Sequence, residues 1–400
     1  MRIGIFTDQY YPVISGVVVS IKNLYETLEK MGHTCYIFTC NKMKGHENDP
    51  EIKSKNVVSI GKLDYPFPAC KDYHFSIFDR KYIKEIGKYD LDIIHINSEF
   101  NIGKIARKAS KKYNIPIVYT LHTAWSNYIS TLFPLTGKIL HKFWIFIMRN
   151  AFTKPMYKAS TTVILPTKKM TSYLKEYGMK NDRLVIIPTG LDLTRFEDKN
   201  IDFNEVSELK KKYNLVGKKV YLYVGRLAKE KNIPLIIKAF HSAFKNDDNY
   251  RLLIVGGGPI YDELVSEVKK YNMQHKVIFT NMIDWKDISK YYRLGDFMIN
   301  ASTTETQGLT YIEALASKTL VIAQKDPCIE DVIFDNENSF IFDGYDDLIV
   351  KLKETSQLTF LNELKEKAYI TSRNYTKEEF AKKIEAEYIK AIEINKNKKK

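Results

Sequence analysis

The fold prediction starts from one segment of the chain, which reads Asn300-Ala301-Ser302-Thr303-Thr304-Glu305-Thr306-Gln307-Gly308-Leu309-Thr310-Tyr311-Ile312-Glu313-Ala314. Residues 296–299 precede it and predict a buried strand, and Gly308 begins a predicted amphipathic helix. The free N–H groups of Gly308 and Leu309 and the positive end of the helix dipole would face the loop after the strand, where a diphosphate can bind. A capping loop followed by an ordinary amphipathic helix is the alternative interpretation.

Two carboxylates flank this predicted anion site. Glu305 lies on the loop, and Glu313 lies more than one turn inside the helix. Carboxylates are poor ligands for phosphate, but they accept hydrogen bonds from sugar hydroxyls. The spacing therefore predicts a nucleotide sugar, with its diphosphate at the helix end and a hexose and a ribose on either side.

Glu305 and Glu313, with seven residues between them, resemble the paired-glutamate motif of retaining family 4 glycosyltransferases, which have the GT-B fold. The sequence Thr-Gln-Gly-Leu-Thr at residues 306–310 resembles the same segment in the branch of the family that glycosylates diacylglycerol, such as the bacterial diacylglycerol glucosyltransferases. The resemblance extends over nearly the whole chain. It implies an α/β protein with two doubly wound Rossmann-like domains that face each other across a cleft, and a final helix that crosses back to the first domain.

Length and pattern lead to the same two-domain organisation. Four hundred residues exceed one ordinary hydrophobic core, and strand–helix alternation occurs in both halves. The break at residues 188–192 resembles the link between the two domains of the family. We therefore expect an N-terminal domain at residues 1–188, a C-terminal nucleotide-sugar domain at 189–374 and the returning helix at 375–400.

Two cations follow a predicted strand in the second half. Arg226 and Lys231 are five residues apart on the loop after residues 219–224. The planar guanidinium and the compact ammonium both suit phosphate, although two solvated cations are the alternative in so basic a chain. By the resemblance, this pair holds the donor diphosphate and neutralises the leaving group. Met282, on the loop after another strand, would lie beside the base.

Two further candidates lie at strand ends of the first half. Gly16 follows the first strand, where a glycine lets the backbone approach a ligand closely. The family carries a glycine pair there that contacts the diphosphate, whereas this chain has Ser15-Gly16. His122 follows the strand at residues 116–121, at the edge where open α/β sheets bind ligands. The resemblance matches it to the histidine near the reacting carbon. A plain turn and a structural hydrogen bond are the respective alternatives.

Positive charge is concentrated in the first half. Residues 1–190 contain 28 Lys and Arg against 15 Asp and Glu, and residues 191–400 contain 34 against 33. Because a compositional bias would affect both halves, the asymmetry predicts an anionic partner for the first domain. Residues 100–175 combine these cations with aromatic side chains, most densely at 125–158. A helix over 138–152 would be too short to span a bilayer but suits its interface, with a core helix as the alternative.

Together these features predict a hexosyltransferase that moves glucose from a UDP-sugar to diacylglycerol or its monoglycosyl derivative. We expect a cytoplasmic protein, peripheral on the inner face of the cell membrane, with an anionic membrane surface as partner and no nucleic acid. The four cysteines show no metal spacing and no dense disulfide framework, which fits a reducing cytosol. No metal-ligand cluster is apparent in the sequence, so no metal is predicted for the chemistry. One alternative is a family 4 enzyme that acts on a soluble sugar or cell-wall precursor. The non-enzymatic alternative is a basic membrane-surface or nucleic-acid-binding module.

Overall fold

The computed structural model describes most of the chain: residues 1–13, 15–40, 50–53, 55–60, 63–64, 74–75, 79–122, 129, 139–176, 178–179, 183–359 and 361–397. It contains two compact units, Met1–Leu191 with Lys377–Lys400 and Asp192–Thr376. Each unit has its own parallel sheet, which confirms the predicted pair of Rossmann-like domains. Cys70 and most of the aromatic segment at 125–138 lie outside the described residues.

The first unit is built on a seven-stranded parallel sheet. Its strands are β1 (Arg2–Thr7), β2 (Thr34–Thr39), β3 (Val57–Ser59), β6 (Ile93–Ile96), β7 (Ile117–Thr120), β8 (Thr162–Leu165) and β9 (Leu184–Ile186). The spatial order is β3-β2-β1-β6-β7-β8-β9. A separate antiparallel pair consists of β4 (Leu63–Asp64) and β5 (His74–Phe75). Every residue of the central strand β6 is buried, as expected for a parallel strand with helices on both faces.

Helices cover both faces of this sheet. They are α1 (Gly16–Lys30), α2 (Pro50–Lys53), α3 (Asp79–Ile86), α4 (Asn101–Tyr113), α5 (His141–Ile147), α6 (Lys154–Ala159), α7 (Lys169–Glu176) and the last helix of the chain, α15 (Lys377–Asn397). Ile384 and Tyr388 of α15 are fully buried in the core that contains Leu24 of α1. The Tyr388 hydroxyl lies 2.7 Å from Nδ1 of His95 on β6. The final helix is therefore part of the first unit, as predicted.

The second unit contains a six-stranded parallel sheet. Its strands are β10 (Lys219–Val224), β11 (Tyr250–Val255), β12 (Val277–Phe279), β13 (Phe297–Asn300), β14 (Leu320–Gln324) and β15 (Phe340–Phe342), in the spatial order β12-β11-β10-β13-β14-β15. Its helices are α8 (Phe203–Lys212), α9 (Ile233–Phe244), α10 (Tyr261–Lys270), α11 (Ile288–Tyr292), α12 (Leu309–Ala316), α13 (Tyr345–Gln357) and α14 (Leu361–Ser372).

The strand order of the second sheet reverses between β10 and β13. The chain first builds outward from β10 to β12 and then returns to place β13 on the other side of β10. Open α/β sheets bind ligands at the carboxyl ends of the strands where such a reversal occurs. The loops after β10 and β13 are the two that carry Arg226, Lys231 and Glu305.

Candidate functional site

The loops after β10 and β13 contact each other. Lys231 lies in a short 3₁₀ turn, Lys229–Lys231, between β10 and α9. Glu305 lies on the loop between β13 and α12. The Ser302 hydroxyl on this loop donates to the Glu230 carbonyl oxygen at 3.3 Å. The structure therefore brings the predicted phosphate ligand Lys231 to the loop that leads into α12.

Lys231 and Glu305 form a direct ion pair. The Lys231 ammonium donates to Oε1 of Glu305, and the two side chains are only 21% and 17% exposed. From the sequence, separate partners were predicted for these residues, a phosphate for Lys231 and sugar hydroxyls for Glu305. In the structure each neutralises the other, because a lysine and a carboxylate held side by side at partial burial stabilise one another.

Arg226 is more exposed than Lys231. Its guanidinium contacts Oε1 of Glu230 at 2.5 Å, and the Arg226 side chain is 65% exposed. The Tyr223 hydroxyl donates to the Arg226 carbonyl oxygen at 3.0 Å, so the backbone of Arg226 is fixed. A guanidinium on a fixed backbone, held by one half-exposed carboxylate, can turn to a stronger anion at low energetic cost.

The amino terminus of α12 requires a glycine. Gly308 has φ 69° and ψ 64°, a left-handed conformation that side chains disfavour. A Cβ atom at this position would also lie 2.3 Å from the ring of Tyr311. Among the residues that the structure describes, no side chain caps α12 and no acidic residue lies in its first turn. The positive end of the helix is therefore open to an external anion.

Two further glycines support the loop that carries Arg226. A Cβ atom at Gly256 would lie 2.0 Å from the Gly225 carbonyl oxygen, and one at Gly258 would lie 2.3 Å from that of Leu227. The Leu227 N–H donates to the Gly257 carbonyl oxygen at 2.9 Å. The glycine turn after β11 therefore packs backbone to backbone against the loop after β10. This supporting role of the Gly256–Gly258 turn was not predicted, although its three consecutive glycines are a visible signal in the sequence.

Glu313 lies inside α12 with a hydrogen-bonded neighbour. The Tyr292 hydroxyl donates to Oε2 of Glu313 at 2.8 Å. Burial raises the pKa of Glu313, while the Tyr292 hydrogen bond and the charge of Arg195 act in the opposite direction. Arg195 was not predicted as a site residue. It is distant in sequence from the glutamate motif, and no spacing pattern connects the two.

Met282 follows β12 on the same edge of the sheet. Its side chain is 81% exposed. The Gly256 N–H donates to the carbonyl oxygen of Asn281, the preceding residue, at 3.1 Å. Met282 also lies against Gly257, since a Cβ atom there would be 3.6 Å from that of Met282. The predicted base-side residue thus borders the glycine turn that supports Arg226.

His122 of the first unit makes a structural hydrogen bond. Its Nε2 lies 2.9 Å from Oδ1 of Asn97, which can only accept, so Nε2 carries the proton. Burial lowers the pKa of His122 to about 4, and the ring is therefore neutral near pH 7. Nδ1 keeps its lone pair as a hydrogen-bond acceptor. The structural hydrogen bond that was the alternative to a catalytic role is therefore present.

Asp8 begins the loop after β1, and Gly16 follows that loop. Gly16 is the first residue of α1, and Ser15 caps that helix, because its hydroxyl oxygen accepts from the Val18 N–H at 3.3 Å. Ser15, which stands where the family has a glycine pair with Gly16, thus serves as the N-cap of α1. Asp8 accepts from the Ile102 N–H at 3.1 Å at the start of α4. Burial raises the pKa of Asp8 to about 7. This buried carboxyl was not predicted from the sequence.

The basic aromatic region is divided between core and surface. Residues 141–159 are helical, with a π-helical segment, Met148–Thr153, between α5 and α6. Met156 is buried in the core, whereas Ile139, Phe143 and Phe146 are 83%, 53% and 59% exposed. On α4, Lys104 and Lys108 pair with Asp79, and Lys111 and Lys112 are exposed. The N-terminal part of residues 141–159 is therefore a surface helix. The C-terminal part of the same segment packs in the core.

Within the part of the chain that the structure describes, no three His, Cys, Asp or Glu side chains are grouped so that they could hold a metal ion. No helix there combines the length and the hydropathy needed to cross a bilayer.

Two family descriptions match the two halves of the chain. Glycosyltransferase Family 4 matches residues 14–195, and Glycosyl transferases group 1 matches residues 205–385. Alpha-monoglucosyldiacylglycerol synthase of Acholeplasma laidlawii is 35% identical over 100% of this chain and 99% of its own length. The synthase of the same name from Streptococcus pneumoniae is 34% identical over 99% of this chain and 87% of its own length.

Solved structures share the fold at low sequence identity. Anabaena Alr3699/HepE in complex with UDP has a TM-score of 0.74 at 15% identity and covers 98% of this chain and 99% of its own. Sucrose-phosphate synthase of Thermosynechococcus elongatus has a TM-score of 0.74 at 18% identity and covers 97% of this chain and 98% of its own.

Proposed function

The chain belongs to the family 4 glycosyltransferases with the GT-B fold, and we propose that it transfers glucose from UDP-glucose to diacylglycerol with retention of configuration. The observation that carries this proposal is the sequence identity of 34–35%, over 99–100% of this chain, to two enzymes named for the product alpha-monoglucosyldiacylglycerol. Diacylglycerol is favoured over its monoglycosyl derivative because those names describe addition of a first glucose.

The donor diphosphate binds at the loops after β10 and β13. Lys231 and Arg226 contact its oxygens, and the N–H groups of Gly308 and Leu309 donate from the open end of α12. These donors are placed before the reaction begins, so they stabilise the charge that develops on the departing UDP. Glu313 accepts from ribose hydroxyls through the oxygen that does not bind Tyr292.

Donor binding exchanges the partners of the ion pairs. The diphosphate replaces Glu305 at Lys231 and Glu230 at Arg226, so each cation keeps an anionic partner throughout. Glu305 released from Lys231 becomes an acceptor for glucose hydroxyls. This exchange reconciles the observed Lys231–Glu305 contact with the separate roles that the sequence predicted for the two residues.

His122 lies by the reacting carbon of the glucose in this proposal. Its neutral ring, with the proton on Nε2 held by Asn97, presents Nδ1 as an acceptor for a sugar hydroxyl. Gly16, at the start of α1, provides close backbone approach to the diphosphate, and Met282 lies beside the uracil. These three roles rest on the resemblance together with the local geometry of each residue.

The acceptor is reached at an anionic membrane surface. Ile139, Phe143 and Phe146 are exposed apolar side chains, which suit the interface of a bilayer. Each Lys or Arg near an anionic leaflet contributes roughly 1 kcal/mol, so a few exposed cations recruit the protein reversibly. The protein is then peripheral on the inner face of the cell membrane, where UDP-glucose is available.

A transfer assay tests the proposal. The protein is incubated with radiolabelled UDP-glucose and vesicles that contain diacylglycerol and an anionic lipid, and the lipid extract is separated by chromatography. We expect labelled monoglucosyldiacylglycerol from the wild type and none from Lys231→Ala. Label in a soluble sugar or cell-wall precursor, with none in lipid, would support the alternative acceptor class. No consumption of UDP-glucose with any acceptor would contradict the enzymatic role.

A further inference from the structure

Arg195 contacts both the ring and the backbone of Trp285. The guanidinium carbon lies 3.2 Å from the centroid of the Trp285 ring, so the two planar groups are stacked. The guanidinium also donates to the Trp285 carbonyl oxygen at 3.3 Å. Trp285 is 52% exposed and belongs to the loop that carries Met282, between β12 and α11. One face of the indole is thus covered by Arg195 while much of the ring remains open.

The turn that carries Arg195 is attached to the neighbours of Glu313. Arg195 lies in the 3₁₀ turn Thr194–Phe196. Phe196 packs edge to face against the ring of Tyr292 at 5.9 Å, and Tyr292 is the hydrogen-bond donor to Glu313. The Arg293 guanidinium donates to the Phe196 carbonyl oxygen at 2.7 Å. Two contacts therefore connect this turn to α11, next to the predicted ribose ligand.

Arg195 also acts on Glu313 electrostatically. Burial lowers the pKa of the Arg195 guanidinium, and the negative charges of Glu313 and Asp192 oppose that effect. The same attraction lowers the pKa of Glu313 and so acts against the rise that burial causes. The Arg195 side chain thus contacts Trp285, on the loop predicted to lie beside the base, and interacts through its charge with Glu313, the predicted ribose ligand.

We propose that Arg195 is a positioning residue for the uridine half of the donor, which it serves by fixing Trp285 and the loop of Met282 relative to Glu313. This inference rests on the proposed donor site. Uracil is planar and presents an aromatic face, and the open part of Trp285 together with Met282 offers it an apolar wall. Because Arg195 stacks on Trp285, the wall has one orientation before the nucleotide binds, which reduces the entropy lost on binding.

Two substitutions separate the features of Arg195. Arg195→Lys keeps the charge near Glu313 but cannot stack as a plane, and Arg195→Gln keeps a planar group but has no charge. Lys199→Gln is the matched control, because Lys199 is an exposed cation on the adjacent turn with an ion pair to Glu197. Binding of UDP, uridine monophosphate and inorganic pyrophosphate is measured by calorimetry, and transfer kinetics are measured with UDP-glucose.

We expect Arg195→Gln to weaken the binding of UDP and of uridine monophosphate by about ten-fold, the scale of a cation–π contact at a partly desolvated site. Pyrophosphate binding should not change. The KM for UDP-glucose should rise by the same factor while kcat stays within about two-fold, the pattern for loss of a contact that the ground state and the transition state share equally. Arg195→Lys should show a smaller rise, and Lys199→Gln none.

Other outcomes would overturn the inference. UDP affinity equal to the wild type in both Arg195 variants would show that Arg195 does not position the nucleoside. An equal loss for pyrophosphate would show a general structural support instead. A wild type that binds no UDP would overturn the donor site itself, whereas one that binds UDP but glucosylates no lipid would overturn only the acceptor. If Arg195→Gln does not fold by circular dichroism, Trp285→Leu tests the same wall.

Discussion

Glu305→Gln tests the exchange of partners at Lys231. In the structure the Glu305 carboxylate accepts from the Lys231 ammonium, and both side chains are mostly buried. A diphosphate that binds Lys231 has to displace this carboxylate first. Glutamine has nearly the same shape without the charge, so the variant removes the competitor and leaves the cation in place.

The size of the effect follows from the burial of the pair. At 21% and 17% exposure, the Lys231–Glu305 interaction lies between a surface ion pair and a buried charged hydrogen bond, which corresponds to about 1–2 kcal/mol. Since about 1.4 kcal/mol is ten-fold in an equilibrium constant, Glu305→Gln should bind UDP roughly 5- to 30-fold more tightly. Glucose transfer should fall, because an amide is a weaker acceptor for sugar hydroxyls than a carboxylate.

The assay is calorimetric titration of UDP together with transfer kinetics on the same preparations. Glu230→Gln is the matched control, since it removes the partner of Arg226 in a pair whose side chains are 65% and 38% exposed. At that exposure we expect UDP affinity to change by no more than about two-fold. A Glu305→Gln protein that binds UDP as weakly as the wild type, or more weakly, would refute the competition argument.

Three further outcomes are expected. Gly308→Ala should lower the Tm and UDP affinity, because it strains a left-handed backbone and crowds Tyr311. Burial raises the pKa of Asp8 from 3.8 to about 7, so its contribution to stability is lost as pH rises through that window. Asp8→Asn should therefore raise the Tm at pH 8 more than at pH 4 in thermal melts. Phe143→Ser with Phe146→Ser should reduce flotation with anionic vesicles without changing UDP binding.

The sheets and the site loops could be predicted because buried parallel strands are continuous apolar runs. The strand at residues 219–224 was predicted with the bounds observed for β10, and the helix after Gly308 begins at Leu309. The edge strands β3 and β15, each of three residues, were not predicted. Short segments of this kind are assigned by their pairing, which the sequence does not contain.

The contacts within the site were harder to predict than its members. Lys231 and Glu305 were both identified, but their direct pairing depends on how two distant loops fold against each other. Arg195 and Trp285 were missed altogether, because a stacked contact between residues 90 positions apart leaves no periodic signal. Local motifs thus indicated which residues bear the chemistry, while the topology of the sheet decides which of them meet.

The most direct test of the central claim is a crystal structure of the protein with UDP. We expect the diphosphate oxygens within hydrogen-bond distance of Lys231 and Arg226 and of the N–H groups of Gly308 and Leu309, with the Lys231–Glu305 contact broken. A diphosphate bound away from the start of α12, or one bound while Lys231 still contacts Glu305, would contradict the account.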